Sequence, residues 1–279
     1  MTRDLDWKNL RLAVPALALL AVFFVVPVVT LLLRSVTEPE PGLGNYAELL
    51  ATPTYGRVLF NTFLVSTIVT LVTLLLAYPV AWMLAIMPQP LGRIVFGVVV
   101  LSMWTNLLAR TYAWMVLLQR TGVINKWLMA AGLIDEPLPL VNNLVGVTIG
   151  MVYIMLPFMI LPLQTTLRAI DPAVLQAASL CGATRLQSFV RVLLPLSLPG
   201  IAAGGIMVFV MSLGYFVTPA LLGGTANMML AEFIAQLVQT FLNWGLGAAA
   251  AFILLVVTLG IYALQLRFVG DGLPGRVKG

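Results

Sequence analysis

Asp171 to Pro195 reads DPAVLQAASLCGATRLQSFVRVLLP, and the interpretation of the whole chain turns on it. It is the longest piece between hydrophobic blocks that carries several basic residues and still has the pattern of ordered helix. Asp171 is a helix cap, and Pro172 falls at the first helical position, where a missing N–H loses no hydrogen bond. Val174, Ala177, Ala178 and Cys181 recur at helical spacing and predict one small apolar stripe. Gly182 is the expected stop, because glycine turns left-handed there without steric cost. Thr184 and Gln187 form a T-x-x-Q capping box for a second short helix, expected to end near Pro195. The pattern predicts two short helices at an elbow, with a flat face of small residues between membrane spans.

Composition sets the surroundings of that elbow. The 279 residues are 61% hydrophobic and only 9% charged, which is the balance of an all-α polytopic membrane protein. With no histidine, a His-built metal site and a His-based catalytic triad are both excluded, and the lone Cys181 excludes a disulfide framework. No G-x-x-x-x-G-K-[ST] sequence occurs, so nucleotide phosphates are not cradled by that route. The net charge of +5 comes from single, scattered basic residues, which argues against nucleic-acid binding and for topology signals.

Six spans are predicted in order, at about 20 apolar residues each. The first is the uncharged run Leu12–Leu33, with kinks expected at Pro15 and Pro27. That run is too long for a signal-peptide core and lacks a small-x-small cleavage site, so it is expected to stay as a span. A polar external loop is expected over Arg34–Tyr55, then span two from Arg57 to Met87 and a tight turn over Met87–Gly92. Span three is Ile94–Leu118, interrupted by Arg110, and an external segment follows over Gln119–Asn143. Span four is Leu144–Leu163, span five Pro199–Leu222 and span six Gly245–Leu266. A Gly223-Gly224 break and a weakly amphipathic piece, Asn227–Leu242, separate the last two. These boundaries divide the chain into an N-terminal part (1–56), a five-helix core (57–270) with the elbow at 171–195, and a short tail (271–279).

Charge fixes the orientation. With both termini inside, ten basic residues (Arg3, Lys8, Arg11, Arg93, Arg168, Arg185, Arg191, Arg267, Arg276 and Lys278) face the cytoplasm. Four (Arg34, Arg57, Arg120 and Lys126) face outward, which is the positive-inside bias and puts the elbow in the cytoplasm.

The spacing of Ala177, Ala178 and Gly182, then nine residues, then Val192, Leu194 and Pro195 resembles the E-A-A-x3-G-x9-I-x-L-P loop of ABC importer permeases. In that family the loop is the coupling helix that docks on a cytoplasmic ATPase. The resemblance implies that Gln176, Ala177, Ala178, Gly182, Ala183, Leu194 and Pro195 make that contact. Gln176 replaces the usual glutamate, keeping the length and an acceptor but losing the charge. Further matches resemble polyamine-type permeases: Arg110-Thr111-Tyr112-Ala113-Trp114 with Asn125, Asn61-Thr62-Phe63, Leu213-Gly214, Val217 to Gly224, and Asn243-Trp244. Their pattern is similar to the first permease subunit of spermidine/putrescine-type importers. It implies a heterodimer with a second, homologous permease, two copies of a cytoplasmic ATPase holding ATP and Mg, and a periplasmic substrate-binding protein, all at a bacterial inner membrane. No catalytic residue and no cofactor are expected in this chain itself.

Several side chains are candidates for a translocation pathway. Arg110 is the only charged residue well inside a predicted span. It is read either as a pathway or gate residue, partnering Glu232 or a substrate carboxylate, or as an arginine snorkelling to the outer interface. Trp104, Tyr112, Trp114 and Tyr215 offer aromatic faces to an organic cation, and they equally suit a membrane interface. Tyr215 stands where several relatives of this type carry an acid, so it would serve a cation only through its ring. Glu232 is read as an external gate residue or as a solvated acid. Thirteen scattered methionines fit flexible packing better than a metal path.

The expected function is the permease subunit of an ATP-driven importer that moves a small polar or cationic solute, polyamine-like, by alternating access. An opine, an amino-acid derivative or another small metabolite is the alternative cargo. An ion-coupled carrier is the competing machine, and it is disfavoured because no Asp or Glu falls within a predicted span.

Overall fold

A computed structural model describes residues 7–270, with side chains described over 14–263. The predicted tail, 271–279, lies outside the described residues, as do the side chains of Arg3, Lys8, Arg11, Arg267, Arg276 and Lys278.

Every element among the described residues is helical: α1 (Trp7–Leu20), α2 (Val26–Thr37), α3 (Gly44–Ala51), α4 (Pro53–Ile86), α5 (Gln89–Met103), α6 (Leu107–Leu118) and α7 (Val123–Ala130) come first. Then come α8 (Leu144–Ala169), α9 (Pro172–Leu180), α10 (Arg185–Ser188), α11 (Leu194–Leu213), α12 (Val217–Leu222), α13 (Leu230–Gln239) and α14 (Trp244–Gly270). Five stretches are long and apolar enough to cross a membrane: Val14–Thr37, Pro53–Ile86, Leu144–Ala169, Arg185–Leu213 and Trp244–Ala263. A sixth passage is the pair Gln89–Met103 and Leu107–Ala130, bent by 95°.

The bend corrects the straight span three of the sequence reading. The helix stops at Met103, and Asn106 starts the next one, its side-chain oxygen accepting from the backbone N–H of Leu108 at 2.9 Å and of Ala109 at 3.3 Å. Arg110 therefore sits in the first turn of a new helix, not in the middle of an old one. The external segment that follows is partly helical too, since α7 occupies Val123–Ala130.

Two prolines also behave differently from expectation. Pro27 does not break the first span, and Pro195 does not end the second elbow helix. Each is preceded by a π turn, Ala21–Val25 before Pro27 and Phe189–Leu193 before Pro195. Proline lacks the N–H that residue i−4 needs, and a one-residue widening of the helix accommodates the ring while the helix continues. Span five consequently begins at Arg185, not Pro199. It ends at Leu213 rather than Leu222, where Gly214, Tyr215 and Phe216 interrupt it before α12.

The chain forms two compact units. One joins the chain up to Gly56 with Phe233–Val256. The segment expected to be a polar loop after Arg34 is instead organised by α3, with Asn45 as its anchor. The Asn45 carboxamide donates to the carbonyls of Ser35 at 2.8 Å and Glu38 at 2.7 Å. Gly245 lies so close that a Cβ there would come within 2.4 Å of the Glu38 carbonyl. Arg34 covers the Trp244 ring at 5.2 Å and pairs with Glu38 at 3.7 Å.

The other unit, Arg57–Glu232 with the chain from Val257, is built round α8. Val147, Met151, Met155, Met159 and Leu163 form its fully buried seam. Small residues on neighbouring helices let backbones approach that seam, as they do where lipid supplies no hydrophobic drive between helices. A Cβ at Gly200 of α11 would lie 2.7 Å from the Thr166 hydroxyl, and one at Gly204 would lie 2.8 Å from the Met159 sulfur. At the other end of α8, a Cβ at Gly150 would meet Leu222 at 2.6 Å and Thr218 at 2.8 Å, both on α12.

Gly204→Ala is expected to destabilise the protein by about 1–3 kcal/mol through overpacking. Gly97→Ala in α5, where no atom lies within 4 Å of the added carbon, serves as the neutral control. Thermal unfolding in detergent measures the difference; equal midpoints for the two variants would refute the close packing of α8 and α11.

Candidate functional site

The elbow is assembled from local hydrogen bonds. Asp171 caps α9, its carboxylate accepting from the Ala173 N–H at 2.9 Å, with Pro172 in the first turn. The far end closes as a Schellman motif: the N–H of Ala183 reaches the carbonyl of Ala178 at 3.1 Å, and that of Gly182 reaches Ser179 at 3.0 Å. Gly182 makes this turn with φ +83°, and open space surrounds it. Thr184 and Gln187 form both halves of the capping box, at 2.9 Å and 3.3 Å. These features match the sequence reading residue by residue.

What the sequence did not reveal is how the elbow is fastened. Phe189, in the π turn, stands edge-on to Tyr78 at 5.6 Å and tilted against Trp82 at 6.4 Å, both on α4. The Tyr78 hydroxyl and that of Ser197 lie 3.0 Å apart. Leu175 turns inward onto the core with Phe189, and Leu193 is buried. A cavity of about 370 Å³ remains between Trp82, Leu175, Arg185 and Ser188.

The opposite side is bare. Gln176, Ala177, Gly182 and Pro195 are exposed, while Ala178, Ala183 and Leu194 are half-buried. Leu180 is 89% exposed and Leu186 72% exposed, so the open face carries two large apolar side chains that the small-residue stripe did not include. Their signal was available: neither falls on the inward positions of its helix.

The pathway candidates divide. Arg110 is half-buried, its Nε buried without a hydrogen-bond partner among the described residues. Its charge lies within electrostatic reach of the Tyr215 hydroxyl. Next to Arg110, Thr111 is fully buried, and its hydroxyl lies 3.4 Å from that of Thr218 on α12. The structure thus brings Arg110, Tyr215 and this hydroxyl pair together at two helix breaks. Trp114, one turn on from Arg110 in α6, packs edge-on against Tyr153 at 5.6 Å, while Trp104 and Tyr112 are exposed, at 85% and 50%.

Glu232 requires a correction. It is 7% exposed, and one carboxylate oxygen is buried without a partner. It is not a solvated acid, because it lies on the buried side of α13 with Leu230, Phe233 and Leu237, while Ala231, Ile234 and Gln236 are half-buried. Burial pushes its carboxyl above the usual carboxylate range, against a backbone hydrogen bond at Met229 that draws it down. Among the described residues the only ion pair is Arg34 with Glu38, so Arg110 and Glu232 do not pair. The segment ahead of α13 is tied to α4: Thr62 accepts from the Leu230 N–H at 2.7 Å, and Asn61 donates to the Ala226 carbonyl at 2.9 Å. The last motif residue, Asn125, is fully buried and staples Gln119 to Leu138 through three hydrogen bonds near 3 Å.

The described residues form a helical membrane protein with a capped, exposed elbow ahead of a continuous span. Comparison with known proteins makes the class specific. Residues 49–270 match the family described as the binding-protein-dependent transport system inner membrane component, and the chain belongs to that family. It is 36% identical over 222 residues to the spermidine/putrescine transport system permease protein PotB of Escherichia coli K12, covering 80% of each chain. It is 37% identical over 247 residues to the inner membrane ABC transporter permease protein YdcU of the same organism, covering 83% of this chain and 76% of that one. The fold also matches a chain in the crystal structure of a bacterial ABC transporter involved in alginate import, with TM-score 0.74, 20% identity and 96% of each chain covered. The protein is the permease subunit of an ABC importer of the inner membrane.

Replacing Gly182 by valine forces a branched side chain into a left-handed backbone, at about 1–2 kcal/mol. Hydrogen exchange at the Gly182 and Ala183 amides is expected to speed up by about tenfold, with Gly182→Asn intermediate. Unchanged protection in the valine variant would show that the turn does not depend on glycine.

Proposed function

We propose that the elbow docks on a cytoplasmic ATPase through Gln176, Ala177, Ala178, Gly182, Ala183, Leu194 and Pro195, joined by Leu180 and Leu186. The carrying observation is the bare apolar face of a rigidly capped elbow in a chain of this family. Two ATPase copies, holding ATP and Mg, close on each other and drag the elbows of this chain and of a second, homologous permease. That movement rocks the spans between inward- and outward-facing states, and hydrolysis resets them. Bond-making and bond-breaking stay on the ATPases. A periplasmic binding protein delivers the cargo, and both chain termini lie in the cytoplasm. In this reading residues 1–56 are an accessory first span with its external segment, 57–270 the permease core and 271–279 a cytoplasmic tail.

The cargo is a small organic cation of polyamine type. The spermidine/putrescine relatives support this, as do aromatic rings near the breaks, which attract ammonium groups. Tyr215 is the best-placed of them, with Glu232 the nearest thing to a carboxylate counter-charge. One observation favours a second cargo: Arg110, with its unpartnered Nε, repels a polycation and suits a substrate that also carries an acid, such as an opine or an amino-acid derivative.

Ala178→Asp is expected to lower uptake of labelled spermidine by the assembled importer at least about tenfold, by placing an unpaired charge at the docking face. Insertion into the membrane should be unaffected. Normal uptake and normal ATP coupling in this variant would rule out docking at the elbow; wild-type uptake of an opine in place of spermidine would reassign the cargo only. Cys181, the chain's one cysteine and exposed, tests the topology. An impermeant maleimide should label it in inverted vesicles and leave it unmodified in intact spheroplasts, with Cys181→Ser as the blank; the reverse pattern would put the elbow outside.

A further inference from the structure

A cavity of about 250 Å³ opens where the end of α4, the start of α5 and the end of α8 meet. Gln89, Arg93, Gln164 and Arg168 supply its polar lining, and Leu84 and Phe96 are among its apolar walls. No carboxylate lines it. Among the described residues only Arg34 and Glu38 pair as ions, so both guanidinium groups here stand without an acidic partner.

Gln164 carries a second, independent sign of a ligand. It is only 9% exposed, and what remains open lines this cavity. Its carboxamide makes no hydrogen bond among the described residues, although a buried amide ordinarily finds a partner. Arg93 donates from Nε to the Gln89 carbonyl at 3.4 Å, which holds its stem along the first turn of α5 and leaves its terminal nitrogens available. That helix starts at Gln89 behind Pro88 with no side-chain cap, and Gln89 lines the cavity, so the positive end of the helix dipole lies beside it. Two planar guanidinium forks, an amide donor and an uncapped helix start together demand an anion with several oxygens.

We propose that this cavity binds a phosphate oxyanion, supplied by the headgroup of an anionic phospholipid. The level within the membrane identifies the supplier. The cavity lies at the shared ends of the apolar stretches Pro53–Ile86 and Leu144–Ala169, where headgroups meet the protein. Apolar walls below the arginines suit the start of an acyl chain. The site depends neither on ATPase docking nor on the identity of the cargo, so it stands or falls separately from them.

The full chain, purified in detergent with its accompanying subunits, is offered phosphatidylglycerol or phosphatidylcholine, and the retained lipid is counted by native mass spectrometry. Wild type is expected to favour phosphatidylglycerol by roughly tenfold, at a little under the worth of two basic side chains near a membrane surface. R93Q/R168Q should lose the preference, R93K/R168K should keep part of it and so report that the fold survives, and R57Q should retain it in full. Millimolar inorganic phosphate is the second arm. Displacement of phosphatidylglycerol from wild type supports a shared phosphate site. Arginine-dependent binding of inorganic phosphate with no lipid preference assigns the oxyanion to a soluble source and removes the lipid. Equal lipid retention by wild type and R93Q/R168Q, with no arginine-dependent response to phosphate, overturns the site.

Discussion

Hydrocarbon offers no water to hydrogen-bond with, so each backbone N–H and C=O inside a bilayer must find its partner within the protein. This requirement explains where the present chain is straight and where it is not. Before Pro27 and again before Pro195 the helix widens by a π turn instead of breaking, which keeps Val14–Thr37 and Arg185–Leu213 continuous. At several of the places where a new helix begins, a side chain stands ready. Asn106 caps α6, Asn143 caps α8 through the Gly146 N–H at 2.9 Å, and Thr62 receives the Leu230 N–H ahead of α13.

The same requirement shapes the packing. Lipid tails are as apolar as leucine, so α8 gains little from simply hiding hydrophobic side chains against α11. Contact must come from fit, and Gly200 and Gly204 provide it by letting α11 settle against Thr166, Pro162 and Met159. Elements fitted this closely move as rods, because shifting one by a fraction of an ångström forfeits dispersion contacts along the whole seam. The exposed first span, Val14–Thr37, is the opposite case: nothing in its described part is buried between Val14 and Thr30, and lipid is an adequate neighbour for it.

Sequence reading succeeded where the physics is local. Asp171, Pro172, Gly182, Thr184 and Gln187 act within four residues of themselves, and the caps and the turn they specify were legible. Span count was legible for a similar reason, since apolar length is a property of a contiguous stretch. Three features were not. The continuation through Pro195 depends on a helix widening that no residue type announces. The break at Trp104 to Asn106 is marked only by an asparagine, which a hydropathy reading passes over. Glu232 was misjudged because burial is decided by elements distant in sequence, and a lone acid beside a glycine pair reads as exposed.

These errors bear on mechanism together. Had the second elbow helix ended at Pro195, the elbow would have been a hinged appendage able to move without its neighbours. As the chain is built, Arg185 to Leu213 is one rod of about 43 Å at 1.5 Å per residue. It is clamped to α4 through Phe189 near one end and to α8 through its glycines farther along. Its far end is the Gly214 to Phe216 break, where Tyr215 lies within electrostatic reach of Arg110. A displacement applied at Arg185 is therefore carried along one continuous helix to that break. On the proposed reading the break is where rod motion becomes a change in access, and Tyr215, which lies in it, is the first to feel it.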